Sequence, residues 1–335
     1  MLISIVVVSY NQERFIIQTL ESILNQETKY GRGNNIQLIV ADDNSDDNTF
    51  QIEQLWIKRN KHLFYDVLVL PSDQHRGINL NFARALRGVN GKYWMGVAGD
   101  DMLADIDLIS ILSDSDVDIC ICSYFLFRDN KLEQKGENNN WKSYCFWNES
   151  VETIKKYSDI RFLFGGAGIV YKNCISEGNY SLLSFISQFN YMEDYLIWDY
   201  SIQKENLTLR YLNYPIYIYR KSEQSITNEK DLGGFHVKYI NDACNYRLLK
   251  MKRVNSFFKK YSLMIEAFQI RFSLLRFLKY LNVYKYIVFV KSLSKTNEMK
   301  KLAKEVDDSA FNCNVSFVKK LERDYTDVMQ RLFKG

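Results

Sequence analysis

The chain has 335 residues, 47% hydrophobic and 25% charged, with a formal net charge of +4. That length allows one large α/β core plus an appendage, since single cores stop growing near about 250–300 residues. Six cysteines with no CxxC spacing and three scattered histidines (His62, His75, His236) exclude a disulfide scaffold, a zinc site and a histidine-built metal centre, so any metal must be a hard cation on carboxylates.

The charge is unevenly divided. Residues 247–304 hold 15 Lys or Arg against 2 Glu, a local +13 that leaves −9 on the remainder, and a basic extension on an acidic body points to an anionic partner surface. The first eight residues run straight into an apolar stretch with no charged n-region or cleavage site, so the expected location is cytoplasmic. No apolar run reaches the ~18 residues needed to span a bilayer.

Along the chain, short apolar runs alternate with helical patterns, the mark of βαβ units and a mainly parallel sheet. Residues 2–8 form a continuous β-branched run, as in a strand buried on both faces. Asn11 is placed to cap a helix whose Ile16, Leu20, Ile23 and Leu24 share one side. A strand over 37–41 runs into Asp42-Asp43-Asn44-Ser45-Asp46-Asp47. A helix over 49–61, a strand over 67–70, a loop with Arg76-Gly77 and a helix over 80–89 follow. The strand over 93–98 then delivers Gly99-Asp100-Asp101 at its carboxyl end, where ligands bind in open α/β sheets. Beyond it, strands are predicted over 118–127, 144–147 and 169–171, with a Phe164-Gly165-Gly166-Ala167-Gly168 turn before the last. A helix over 193–203, two strands over 208–212 and 216–219, and a helical pattern from about Gly234 to the end complete the reading.

Asp100 and Asp101 repel one another unless a cation sits beside them; such a pair can hold Mg²⁺ or Mn²⁺ against a diphosphate. It equally suits a turn with a helix cap. Asp42 and Asp43 can accept hydrogen bonds from a nucleobase or ribose, whereas Asp46 and Asp47 also fit an Asx-turn and cap. Glu193-Asp194 opens a helix, where acids favour the macrodipole, yet a carboxylate there can take a proton from an attacking hydroxyl. Gly165, Gly166 and Gly168 permit close backbone approach or a tight turn. Arg76, Arg84 and Arg220 are candidates for phosphate pairing.

In this order the pieces resemble glycosyltransferase family 2, inverting enzymes of GT-A fold, over residues 1–228. The carriers are Ile3-Ser4-Ile5-Val6-Val7-Val8-Ser9-Tyr10-Asn11, Leu38-Ile39-Val40-Ala41-Asp42-Asp43-Asn44-Ser45-Asp46-Asp47-Asn48-Thr49, Asn90-Gly91-Lys92-Tyr93-Trp94 leading to Gly99-Asp100-Asp101, Glu193-Asp194, and Tyr219-Arg220 with Ser225-Ile226. The resemblance implies a Rossmann-like, mainly parallel sheet with helices on both faces. A catalytic domain over 1–230 (nucleotide half 1–115, acceptor half 116–230) precedes a basic helical region over 231–335.

The resemblance also implies that Val8, Tyr10, Asp42, Asp43, Arg76, Arg84, Asp100 and Arg220 surround the nucleotide-sugar donor. The glycines at 165, 166 and 168 form the acceptor loop, and Asp194, beside Glu193, is the catalytic base. Asp101, ahead of Asp100, ligates Mn²⁺ or Mg²⁺. Two positions depart from the family pattern: Ala98 stands where many members have an Asp, and Ser222 where many have a His. The implied reaction moves a sugar onto a saccharide acceptor on a polyprenyl-diphosphate carrier, in O-antigen, capsule or exopolysaccharide synthesis.

Between Phe257 and Leu293, rings and aliphatic side chains interleave with lysines and arginines. This mixture suits a helix lying on an anionic membrane, at the inner face of the cytoplasmic membrane, and equally a helical subdomain packed on the core. Two other function classes stay open on residues alone. A nucleotidyltransferase would call for a Gly-rich phosphate loop where Ser9-Tyr10-Asn11-Gln12 stands. A nucleic-acid-binding protein using the basic tail would have an acidic body that repels phosphate, and no nucleic acid is expected as partner.

Overall fold

Alternating strands and helices make up most of the chain in a computed structural model that describes residues 1–31, 34–133, 146–159, 163–174, 181–221, 234–271, 290, 293–295, 297 and 308–333. The strands are β1 (Ile3–Ser9), β2 (Ile36–Asp42), β3 (Asp66–Leu70), β4 (Tyr93–Ala98), β5 (Met102–Leu103), β6 (Ile119–Arg128), β7 (Lys131–Glu133), β8 (Ile169–Lys172) and β9 (Leu209–Arg220). The helices are α1 (Ile16–Asn25), α2 (Thr49–Asn60), α3 (Ile78–Leu86), α4 (Leu108–Ser113), α5 (Val151–Ser158), α6 (Ser181–Ile186), α7 (Glu193–Ser201), α8 (Gly234–Arg253), α9 (Phe257–Arg271) and α10 (Asp308–Phe333).

One sheet runs in the order β3-β2-β1-β4-β8-β6-β9-β5, with β7 added to β6. The first four strands are parallel, in register Ser9↔Asp42 between β1 and β2 and Val8↔Ala98 between β1 and β4. The Ile- and Val-rich strands β1 and β2 are buried almost throughout, as strands covered on both faces require. On one face Ile16, Leu20 and Ile23 of α1 and Ile52 and Trp56 of α2 pack on Ile5, Val7, Leu38 and Val40. On the other, Phe82 of α3, Leu182 of α6 and Trp198 of α7 pack on Val6, Ile39 and Ala41.

Local readings shift where tertiary contacts outweigh pattern. Asn11 does not cap α1: Phe15 precedes that helix without a side-chain cap, and Asn11 adopts φ 54° to bond the loop after β2. The strands expected at 208–212 and 216–219 are one strand, β9, whose register against β6 slips around Ser123 and Tyr124. An irregularity of this kind accommodates Pro215, which has no N–H for the ladder. Of the strand expected at 144–147, Phe146 and Trp147 form a turn instead, their rings buried in the core, while 144 and 145 lie outside the described residues. The Ser225-Ile226 segment and most of the interfacial stretch over 257–293 also lie outside them. The C-terminal helices are present. α10 packs on the β6-β9-β5 end of the sheet, where Phe317, Val318 and Leu321 meet Met102, Phe125, Phe127 and Ile218, and buried Asn314 accepts the Asp105 amide at 2.7 Å.

Candidate active site

Strand directions gather the acidic pairs on one edge. β8 is antiparallel to β4 and to β6, and β6 is parallel to β9. The carboxyl ends of β1, β2, β3, β4, β6 and β9 therefore share an edge with the start of β8. Tyr10, Asp42 and Asp43, Asp100 and Asp101, the Gly165 to Gly168 turn and Arg220 all lie along it, and Val8 sits in β1 beside Ala41 and Ala98.

At the β1 and β2 ends the two loops are laced together. Asn11 N donates to Ser45 Oγ at 2.9 Å while Asn11 Oδ1 accepts from Asp46 N at 2.8 Å. Gln12 N donates to Thr49 Oγ1 at 2.6 Å. Asp42 accepts from Ser45 N and Ser45 Oγ. Asp43 gathers the loop before α3, accepting from Arg76 N at 2.9 Å and Gly77 N at 2.8 Å and pairing with His75 Nδ1 at 2.9 Å. Gly77 makes this possible with φ 87°, a conformation that side chains resist. His75 stacks on Tyr10 at 4.1 Å between ring centroids, and Tyr10 OH donates to Asp46 Oδ2 at 3.2 Å. The sequence carried no signal for His75, because only the fold sets it beside Asp43 and Tyr10.

The two arginines expected on phosphates are occupied otherwise. Arg76 bonds Ser72 and Asp73 within its own loop. Arg84 donates to the Asp42 and Pro71 carbonyls and to Asn81, bracing the end of β2.

Asp100 and Asp101 divide their labour. Asp101 is buried; its Oδ2 accepts from Tyr217 OH at 2.8 Å and its Oδ1 from Arg220 N at 2.7 Å. Burial, followed by the neighbouring Asp100 charge, holds its carboxyl well above the usual carboxylate range. Asp100 is partly exposed, burial raises its carboxyl too, and among the described residues no other residue donates a hydrogen bond to its side chain. Arg220 turns back over the pair: Nε donates to Asp100 O at 2.8 Å and a terminal nitrogen to Gln18, with the guanidinium between the Phe15 and Phe127 rings at 4.7 and 4.9 Å.

Sequence alone puts Asp101 ahead of Asp100 as the metal ligand; in the structure the two carboxylates have different surroundings. Asp101, with both oxygens taken, braces the turn, and Asp100 offers the accessible carboxylate. A divalent ion fits such a donor set, because Mg²⁺ is held by one or two carboxylates together with substrate phosphates and water. Among the described residues no group of three or more His, Cys, Asp and Glu forms a self-contained cage.

Glu193 and Asp194 occupy the first turn of α7, behind Met192 at φ 73°. Asp194 Oδ1 accepts from Tyr195 N at 2.7 Å, and its Cβ lies where a side chain on Gly166 would collide, 2.7 Å from the position of an added Cβ. The absent side chain at 166 lets the turn close on Asp194. Gly168, at φ 80°, abuts the Cys122 and Ser123 carbonyls, while nothing lies within 4 Å of Gly165 on its Cβ side. Burial raises Asp194 above the usual carboxylate range; burial and then Asp194 push Glu193 up to about 8. A raised carboxylate suits proton abstraction, since base strength and ionisation are balanced near neutral pH.

Ser9 and Glu53 also escaped the sequence reading. Ser9 Oγ donates to Glu53 Oε1 at 2.6 Å at the carboxyl end of β1, and burial pushes Glu53 up to about 8.

The profile described as "Glycosyl transferase family 2" matches residues 4–174. Abequosyltransferase RfbV of Salmonella typhimurium is 29% identical over 144 residues, 42% of this chain and 41% of that protein. An uncharacterized protein of Mycobacterium tuberculosis is 33% identical over 102 residues, 30% of this chain and 28% of its own length. The matched stretch spans well under half of either relative. Among solved structures, S. aureus TarS 1–349 in complex with UDP-GlcNAc superposes with TM-score 0.54 at 15% identity, covering 98% of this chain and 92% of that one. A mannosyltransferase from Pyrobaculum calidifontis in complex with GDP-Man and Mn²⁺ gives TM-score 0.50 at 14% identity, covering 96% and 86%. At these identities the likeness speaks for the fold, a GT-A sheet with a helical C-terminal part.

Proposed function

The chain belongs to glycosyl transferase family 2, and from that premise we propose that it is an inverting glycosyltransferase taking a sugar, of hexosyl type, from a nucleoside-diphosphate donor to a saccharide acceptor. The observation that carries the reading is the common sheet edge on which Asp100 follows β4 while the turn before β8 closes on Asp194. With the family assigned, the nucleotidyltransferase and nucleic-acid readings lose their ground.

In the proposed reaction Asp194 removes the proton from the acceptor hydroxyl. That oxygen forms its bond to the anomeric carbon from the face opposite the nucleotide as the bond from carbon to diphosphate oxygen breaks, and the configuration inverts. Asp100, with the donor diphosphate, would hold a Mn²⁺ or Mg²⁺ ion, whose charge offsets that growing on the leaving group. Asp101, Tyr217 and Arg220 keep the Asp100 turn in place. Tyr10, Asp42, Asp43 and His75 line the nucleotide side, and Gly165 leaves open space on the acceptor side.

The acceptor is proposed to ride on a polyprenyl-diphosphate carrier in O-antigen, capsule or exopolysaccharide synthesis, at the inner face of the cytoplasmic membrane. The basic segment over 247–304 supports contact with an anionic membrane, and among the described residues no helix is long and apolar enough to cross one. A donor panel tests the enzyme reading: UDP-, GDP- and dTDP-sugars are assayed for hydrolysis and for protection of the protein, with and without Mn²⁺ or Mg²⁺. Metal-dependent engagement of one donor class, with transfer lost in Asp194→Asn, is the expected result. Engagement of none, or normal turnover by Asp194→Asn, overturns it.

A further inference from the structure

We infer that the turn between α8 and α9 is the point at which this chain meets an anionic lipid bilayer, with Phe257 and Phe258 at the acyl boundary and Lys252 and Lys260 against the headgroups. The inference rests on the membrane reading above and narrows it from a long segment to one turn.

Phe257 and Phe258 are 75% and 68% exposed, the highest values among the exposed large hydrophobic residues described, and their rings meet edge-on at 6.0 Å. Neither belongs to a core cluster, so their apolar surface faces water at the start of a helix. From 247 to 260 there are six Lys or Arg and no acid. Four of the six are spent inward: Lys250 on Asp199 at 2.5 Å, Arg253 on Asp199 at 3.8 Å and over the Phe185 ring at 5.3 Å, Lys259 on Asp159 and Arg247 on Glu266 at 3.3 Å. Lys252 and Lys260 are left exposed, flanking the two rings in the sequence.

Two rings are too small an area for a protein interface, which takes about 800 Å² from each partner. Rings flanked by cations do suit a bilayer, where apolar burial and attraction to anionic headgroups add. The turn is also firmly tied to the acceptor half. Asp242 of α8 accepts from Asn190 N at 2.7 Å and Tyr191 N at 3.2 Å, just before α7. At the other end Lys250 Nζ donates to Ser158 O at 2.6 Å and Tyr246 OH to Asp199. A membrane hold at the turn therefore fixes the orientation of α7, whose first turn carries Asp194.

The test is co-sedimentation of the full chain with mixed phosphatidylcholine and phosphatidylglycerol vesicles and with phosphatidylcholine alone, at low and raised salt. The expected result is binding to the anionic vesicles that Phe257→Ser/Phe258→Ser weakens at least about tenfold and Lys252→Glu/Lys260→Glu abolishes, with thermal melts unchanged. If the chain binds and both variants bind equally well, this turn is not the contact, although the broader membrane reading survives. If the unaltered chain fails to bind at low salt, both fall. A chain that self-associates until the Phe pair is replaced, by analytical ultracentrifugation, replaces the bilayer with a second copy and overturns the inference.

Discussion

The backbone amide of Arg220 donates to Asp101 Oδ1 at 2.7 Å, tying the end of β9 to the turn after β4. With Tyr217 OH on the other oxygen, the buried carboxylate spans two strands that are far apart in sequence. It is therefore a brace, and the neighbouring Asp100 is the group open to a ligand. Asp101→Ala should lower stability by about 2–3 kcal/mol, because it leaves the Arg220 amide and Tyr217 hydroxyl buried without an acceptor. Asp100→Asn should leave the melting temperature nearly unchanged while abolishing metal-dependent protection of the donor. Thermal melts and donor protection on the two variants check this; equal destabilisation by both would refute the division of roles.

Gly166 carries the second prediction. A methyl group there would sit 2.7 Å from Asp194 Cβ, a separation no pair of carbons tolerates, so the turn or the first turn of α7 must give way. A shift of about 1 Å at a reacting group costs on the order of a hundredfold in rate. Gly166→Ala should therefore lower kcat by about that factor with little change in donor KM. Gly165→Ala removes no contact, since nothing lies nearby, but its φ of 77° disfavours any side chain, so a modest loss of stability is expected. Steady-state kinetics separate the two, and an unaffected kcat in Gly166→Ala would show that the contact does not position the base.

The third prediction is the pH profile. As the base, Asp194 must be ionised, and burial raises its carboxyl, so kcat/KM should climb with pH through a limb above the ordinary carboxylate range. Burial and then the Asp194 charge push Glu193 up to about 8, whereas no Glu193 charge is among the causes acting on Asp194, so Asp194 is the first of the two to lose its proton. Glu193→Gln, neutral at every pH, should then leave the acidic limb where it is. A limb displaced downward in that variant would mean that Glu193 is charged first and that the roles of the two acids are exchanged.

Much of this site was legible because its residues sit at strand ends. The apolar runs of β1, β2 and β4 mark buried parallel strands, and the residues just after them must face the ligand edge, which located Tyr10, Asp42, Asp43 and Asp100 without coordinates. What pattern could not supply was pairing across the sheet. Only the adjacency of β9 to β5 and β6 brings Tyr217 and Arg220 onto Asp101, and only the loop before α3 brings His75 to Asp43. The same limit applies to the arginines: sequence chemistry marks Arg76 and Arg84 for phosphate, and only the fold shows Arg76 on Ser72 and Asp73 and Arg84 on the Asp42 and Pro71 carbonyls and Asn81. Asn11 misled as a cap because its side chain serves the β2 loop instead.

Glu53 supplies the last prediction, one of stability. It is fully buried, its Oε1 accepts from Ser9 Oγ at 2.6 Å, and among the described residues its Oε2 has no hydrogen-bond partner. Burial pushes its pKa up to about 8 from the usual value near 4.5. A folded-state pKa above the unfolded one means that the native state binds the extra proton, so the contribution of this group to stability falls as pH rises from about 4.5 to 8. The full swing is on the order of a few kcal/mol. Glu53→Gln, which keeps an acceptor for Ser9 and never ionises, should remove that slope: its melting temperature relative to the unaltered chain should rise steadily between about pH 5 and pH 8. A constant difference between the two proteins over that range would mean that Glu53 is ionised in the native state throughout.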